Sequence, residues 1–271
     1  MSTPRLTPGR IAEIQTQLTA RDWLILSLLG RLRVATARQI QHLAFLDATP
    51  TSNARMSRRT LAKLVDLRLV NRLEGRRGGV RAGSAGDVFT LDVGGRRITG
   101  QRVSNRPQIR APWPISTAFV EHHLGVTDLY VGLVTGSRPD GAQLIDFVTE
   151  PAAWRTFTDR GGARAVLKPD AYAVITSGNY QDSWFIEYDR ATEGPLALKR
   201  QLTAYIDYWH SGQEIARHGV HPKTLWIVPD AKRYDLLIDL LGTLPTEAWP
   251  LFEATVCQEA IEHLLRDATD P

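Results

Sequence analysis

The sequence holds one cysteine, Cys257, in 271 residues. That excludes an intramolecular disulfide and any zinc site built on thiolates, and a reducing cytoplasm is the expected location. Long hydrophobic runs are missing too. The longest aliphatic patch covers residues 23–29, far short of the roughly 20 residues that span a bilayer. Residues 1–5 lack the basic-then-apolar pattern of a secretion signal. No Gly-x4-Gly-Lys-Ser/Thr phosphate loop and no Gly-x-Ser-x-Gly nucleophile turn occurs. Lysine is scarce, five residues against 28 arginines.

What is present is unevenly distributed. Hydrophobic residues make up 43%, as in a globular chain, and the length suits two domains, each able to bury a core. The formal charge of +4 divides sharply. Residues 1–113 carry 20 basic residues, 19 of them arginine, against seven acidic, a net +13. Residues 114–271 carry 13 basic against 22 acidic, a net −9. A basic half of this kind points to a polyanionic partner.

In the basic half, Thr19 can cap a helix over 20–29, with Asp22 in its first turn and Gly30 beyond it. Thr36 opens a second, short helix with Ile40, Leu43 and Ala44 at helical spacing. A third begins at Ser52 or Asn53 and runs to about Leu69, with Met56, Leu61, Leu64, Val65 and Leu67 apolar. Arg55, Arg58, Arg59 and Lys63 project largely off that stripe. Strand-like segments over 70–74 and 88–91 flank a Gly- and Arg-rich stretch, 75–87. Three helices followed by such a pair match a winged helix-turn-helix over 19–92, and residues 69–73 resemble the start of the wing in winged-helix regulators. In that geometry the start of the third helix enters the major groove. Arg55, Arg58 and Arg59 are then candidates for reading guanine. Arg76, Arg77 and Arg81 suit phosphates or the minor groove, and Lys63 and Arg72 extend the set toward double-stranded DNA. Residues 1–18 read as a tail. Residues 93–115, with Arg96, Arg97, Arg102, Arg106, Arg110 and three prolines, read as a basic linker.

From 116 a helix runs to about Val134. Its His122 and His123 point about 100° apart and so cannot share a metal simply. His210, His218 and His221 read as loop histidines. Beyond lie strands over 143–148, 171–176 and 183–188, a helix over 195–210, a strand over 224–228, a helix over 231–241, a strand over 252–256 and a last helix over 258–265. The expectation is a mixed α/β domain over 116–271.

One pairing has chemical consequences. With Gly178 and Asn179 as a two-residue turn of type II′, Gly first, Asp170 falls opposite Glu187. Asp189 shares the face of Glu187. Three carboxylates on one face repel one another unless a cation compensates. Mg²⁺, with Mn²⁺ as substitute, prefers such oxygens.

These residues resemble the PD-(D/E)XK nuclease superfamily, with Lys168-Pro169-Asp170 and Ile186-Glu187-Tyr188-Asp189 as the matching positions. The resemblance implies that Asp170 and Glu187 hold a metal, and the shared strand face adds Asp189 as a third candidate ligand. Gln201 and Tyr205 are similar to the Gln-x3-Tyr helix of the RecB-like branch. Asp189 occupies the position of the expected lysine. The resemblance implies that Lys199 reaches in from the next helix, with Arg190 a weaker substitute and Glu150 an additional acid. The whole layout resembles the replication-relaxation family of plasmids and integrative elements, carried by the winged-helix half, His123, Leu124, Tyr130, Pro169, Asp170, residues 187–193, Lys199 and Tyr205. It implies an α+β chain, a winged helix-turn-helix followed by a nuclease-like domain. It further implies plasmid DNA handling, with a relaxase or replication protein as the expected partner, and a homodimer is expected because winged-helix proteins often bind DNA as dimers. Two readings remain: a DNA-binding accessory factor, or a metal-dependent endonuclease using Asp170, Glu187, Asp189, Lys199, Gln201 and Tyr205.

Overall fold

The computed structural model describes residues 6–47, 49–73, 87–100, 116–138 and 141–266. The chain is mixed α/β and divides into two compact units, 1–131 and 132–271. Arg76, Arg77 and Arg81 and the linker arginines 102, 106 and 110 lie outside the described residues. Among the described residues no helix is long and apolar enough to cross a membrane.

The first unit opens with α1 (Pro8–Thr16) and α2 (Ala20–Leu32). Thr19 and Asp22 form a capping box at the start of α2, each side chain bonding the other's backbone N–H. β1 (Val34–Thr36), a short strand that the sequence pattern does not announce, leads into α3 (Ala37–Ala44), boxed in the same way by Thr36 and Gln39. α4 (Pro50–Asp66) starts slightly earlier than expected because Thr49 caps it and Pro50 takes the first turn. Its buried face is Asn53, Ser57, Leu61 and Leu64, so two small polar residues, and not Met56, line the first half. β2 (Val70–Leu73) and β3 (Val88–Leu91) complete an antiparallel sheet in the order β1-β3-β2. Ile25, Leu26, Leu29, Ile40, Leu64 and Val88 form the buried interior.

The segment expected to begin a linker folds instead as α5 (Val93–Ile98). Gly94 and Gly95 make that possible. A Cβ on Gly95 would lie 2.1 Å from the Leu69 carbonyl oxygen, and one on Gly94 2.5 Å from that of Arg68. α6 (Thr117–Gly136) follows, and the division between the units falls within it. Within the first unit, Thr127 Oγ1 donates to Val34 O at 2.9 Å, and Gln39 Nε2 donates to Asp128 Oδ1 at 2.6 Å.

The second unit carries β4 (Gln143–Thr149), β5 (Arg155–Thr158), β6 (Arg164–Leu167), β7 (Ala171–Ser177) and β8 (Tyr180–Tyr188). Then come α7 (Pro195–His210), α8 (Gln213–His218), β9 (Lys223–Val228) and α9 (Ala231–Leu241). A 3-10 turn, β10 (Phe252–Val256) and α10 (Ala260–Leu264) close it. The main sheet has the order β10-β9-β8-β7-β4, antiparallel through β4, β7 and β8 and parallel through β8, β9 and β10. Phe185 and Trp226 on one sheet face pack against Leu198, Leu202 and Tyr205 of α7 and Leu237 of α9. Gly132 and Gly136 of α6 come close to Ile261 and Leu265 around α10. β5 and β6, absent from the sequence reading, form a separate two-stranded ribbon.

Candidate functional site

The β7–β8 hairpin has the expected register, from Ala171 opposite Ile186 to Ser177 opposite Tyr180. Gly178 has φ +57° and Asn179 is not among the residues of positive φ, the pattern of a type II′ turn. The pairing carries on past the strand end. Asp170 N donates to Ile186 O at 3.1 Å, and Tyr188 N donates to Asp170 Oδ2 at 2.8 Å. Asp170 therefore lies beside Glu187.

Glu187 is 8% exposed, on the sheet face that α7 covers. Tyr205 of α7 donates its hydroxyl proton to Glu187 Oε1. Burial pushes the Glu187 pKa well above the usual carboxylate range, and the negative charges of Asp170, Glu193 and Asp189 push the same way. Only the Tyr205 hydrogen bond among the main influences opposes them. Burial and the Glu187 charge likewise raise the Tyr205 phenol.

Asp189 is engaged differently. Its carboxylate makes a two-pronged ion pair with Arg233 in the first turn of α9, one prong from Nε to Oδ2, the other from Nη2 to Oδ1 at 3.1 Å. Both side chains are buried, at 8% and 7% exposure. The expected cluster of three carboxylates is thus a pair, Asp170 and Glu187, with the third neutralised. Among the described residues no group of three or more His, Cys, Asp or Glu side chains is placed to hold a metal. The Asp170–Glu187 pair is a set of hard oxygen donors, the kind a divalent cation prefers. Asp189 does not add to it.

The remaining candidates separate by helix phase. At about 100° per residue, Gln201 sits about 40° from Tyr205 around α7, and Lys199 about 120° from it. Gln201 is half-buried on the site side, whereas Lys199 is exposed. Lys199 borders an outer groove with Leu196, Arg200, Thr203, Ala204 and Asp207. The structure therefore does not bring Lys199 to the carboxylates. Glu150 comes close through its backbone, its N–H donating to Asp170 O at 3.0 Å, and Arg190 is half-buried. Glu193, within the 187–193 segment that carries the family resemblance, adds its charge beside Glu187, and Arg233 is a participant with no signal in the sequence.

In the first unit, Arg55, Arg58 and Arg59 all lie exposed on α4, Arg55 and Arg59 opposite its buried face and Arg58 on its flank. Lys63 does not join them. Its ammonium donates to Asp22 Oδ2 at 2.6 Å, and Asp22 is 1% exposed. Burial alone would raise the Asp22 pKa, but hydrogen bonds from Lys63 and Thr19 outweigh it and hold it low. Arg72 is exposed and pairs with Asp87 across the sheet at 2.7 Å.

Fold and site together define a two-unit mixed α/β protein with an arginine-lined helix in one unit and a buried carboxylate pair in the other. The chain belongs to the replication-relaxation family, whose pattern matches residues 26–224. Membership associates it with the replication or relaxation of plasmid or mobile-element DNA. No curated protein and no solved structure matches it.

Proposed function

We propose that the protein is a DNA-binding accessory factor in the replication, relaxation or transfer of a plasmid or mobile element. The first unit acts as a winged helix-turn-helix, with α4 as the recognition helix. Its outward Arg55, Arg58 and Arg59 read base edges, and the segment joining β2 to β3, with Arg76, Arg77 and Arg81, binds phosphates. The second unit acts as a PD-(D/E)XK-like domain for binding or assembly, and a relaxase or replication protein and a second copy of the chain are its partners. One observation favours this over cleavage. The position where the superfamily keeps its lysine is Asp189, tied to Arg233, while Lys199 faces away. With that lysine position held by a carboxylate, the site lacks one part of the superfamily's chemistry.

The retained Asp170–Glu187 pair and its hydrogen bond to Tyr205 support a second reading, a Mg²⁺-dependent endonuclease. In that case Asp170 and Glu187 would hold the ion, whose Lewis acidity would supply activation of a water, and Tyr205 and Gln201 would orient Glu187. Incubation with supercoiled plasmid carrying its cognate site, with Mg²⁺ or Mn²⁺, separates the two. The accessory reading expects intact plasmid with either metal, together with bound complexes in gel shift. Nicking by wild type, abolished in Asp170→Ala with Glu187→Ala, would sink it.

A further inference from the structure

The ribbon of β5 and β6 has one face turned inward and one left open. Phe157 and Leu167 are buried, and together with Ala165 they pack against the cluster under α7. The alternation of strands then sends Thr156, Thr158 and Arg164 outward, and all three are exposed. Thr158 lies opposite Arg164 across the ribbon. One step beyond the paired strands, Lys168 places its ammonium 5.1 Å from the centre of the Trp154 ring, a cation–π interaction that holds the long side chain in place. At the ribbon's tip Asp159 Oδ1 accepts from Gly161 N at 2.9 Å and from Ala163 N at 2.8 Å. That leaves Arg160 exposed beside it.

None of the ion pairs among the described residues engages Arg160, Arg164 or Lys168. Three cations without a carboxylate partner on one ribbon contrast with a half of the chain whose net charge is −9. Arg164 and Lys168, four residues apart on one extended segment, are spaced about 13 Å. A two-stranded ribbon of this kind fits the major groove of duplex DNA. Lys168 lies two residues before Asp170, so whatever the ribbon grips is held next to the carboxylate pair.

We propose that the outer face of the β5–β6 ribbon is a second DNA-binding surface, with Arg160, Arg164 and Lys168 holding phosphates of a duplex. The proposal rests on the DNA-binding reading above and adds to it a surface from the second unit. The test is fluorescence anisotropy of the full chain with a labelled mixed-sequence duplex over a salt series. The variant carries Arg160→Gln, Arg164→Gln and Lys168→Gln.

The expected result is a log–log salt slope shallower by about 2 to 3, at roughly 0.9 for each phosphate no longer neutralised, and affinity lower by about 10- to 100-fold at low salt. Thermal melting of the variant should stay close to wild type, since the three side chains are exposed and only Lys168 gives up a contact, that with Trp154. If it melts early, Arg164→Gln alone must still flatten the slope by about 0.9. A slope and affinity equal to wild type, with DNA binding by wild type intact, would overturn the ribbon and leave the winged-helix reading standing. Failure of wild type to bind any duplex would overturn both.

Discussion

Asp189 and Arg233, 44 residues apart, meet as a two-pronged buried ion pair at the end of β8 and the start of α9. The carboxylate that sequence alone would offer to a metal is already satisfied, and an arginine from another element supplies the charge. An arginine stays protonated, so it cannot take a proton from an attacking water as a displaced lysine could.

Breaking that pair on one side should be costly. Arg233→Met leaves a carboxylate buried without its partner, and stability should fall by about 3–5 kcal/mol. Urea unfolding would show a lower midpoint at unchanged slope. Adding Asp189→Asn to Arg233→Met should recover a large part of the loss, since no unpaired charge is then left.

Lys63 and the α4 arginines should part company. Lys63→Ala strands the buried Asp22 carboxylate and should lower stability by about 1–3 kcal/mol, while the DNA salt slope stays as in wild type. Equilibrium unfolding and anisotropy on the same preparation would separate the two effects.

Arg58→Ala with Arg59→Ala should do the reverse. Both side chains are exposed, so stability should change by less than about 0.5 kcal/mol. Preference for a cognate duplex over a scrambled one should disappear. Replacing Arg76, Arg77 and Arg81 should instead weaken binding to both duplexes alike and flatten the salt slope, by about 0.9 for each phosphate left without its cation.

Glu253 gives the second unit an acid-sensitive element. A hydrogen bond with His263, helped by Lys223, overcomes burial and lowers its pKa from 4.5 to about 2. Between those values the unfolded chain binds more protons than the folded one. The stabilisation is therefore complete above about pH 4.5 and is lost as pH falls toward 2. Glu253→Gln should be less stable at neutral pH, by at most about 3 kcal/mol, and its stability should vary less across that acid range. Thermal melts at stepped pH would check this.

Gly95→Ala should displace α5. Its methyl would sit 2.1 Å from the Leu69 carbonyl oxygen, which is backbone and cannot swing aside. A fall in stability of about 1–3 kcal/mol is expected, measurable as a lower melting temperature.

The local rules were the most legible part of this chain. Gly178-Asn179 between two alternating apolar runs specified a turn, and the turn set the register that brings Asp170 beside Glu187. Thr19 and Thr36 announced helix starts because a capping hydroxyl is a short-range device. Short elements escaped. β1 is three residues long and is held by pairing with β3, more than 50 positions away. β5 and β6 are four residues each and take their order from a core that α7 completes. α5 depends on two glycines reaching the backbone of the α4–β2 connection.

The sequence by itself determined where charge accumulates, the hairpin that aligns the acids, the helix face that carries Arg55, Arg58 and Arg59, and the family. The first three follow from composition, from periods of two and 3.6, and from turn chemistry, all of which act over a few residues, and the family from the pattern matched over residues 26–224. Only the tertiary structure decided which charges are already paired. Lys63 goes to Asp22 and Asp189 to Arg233, while Arg160, Arg164 and Lys168 stay open on a ribbon. Ion pairing depends on distance in space and on exclusion of water, and neither is written in the order of the residues.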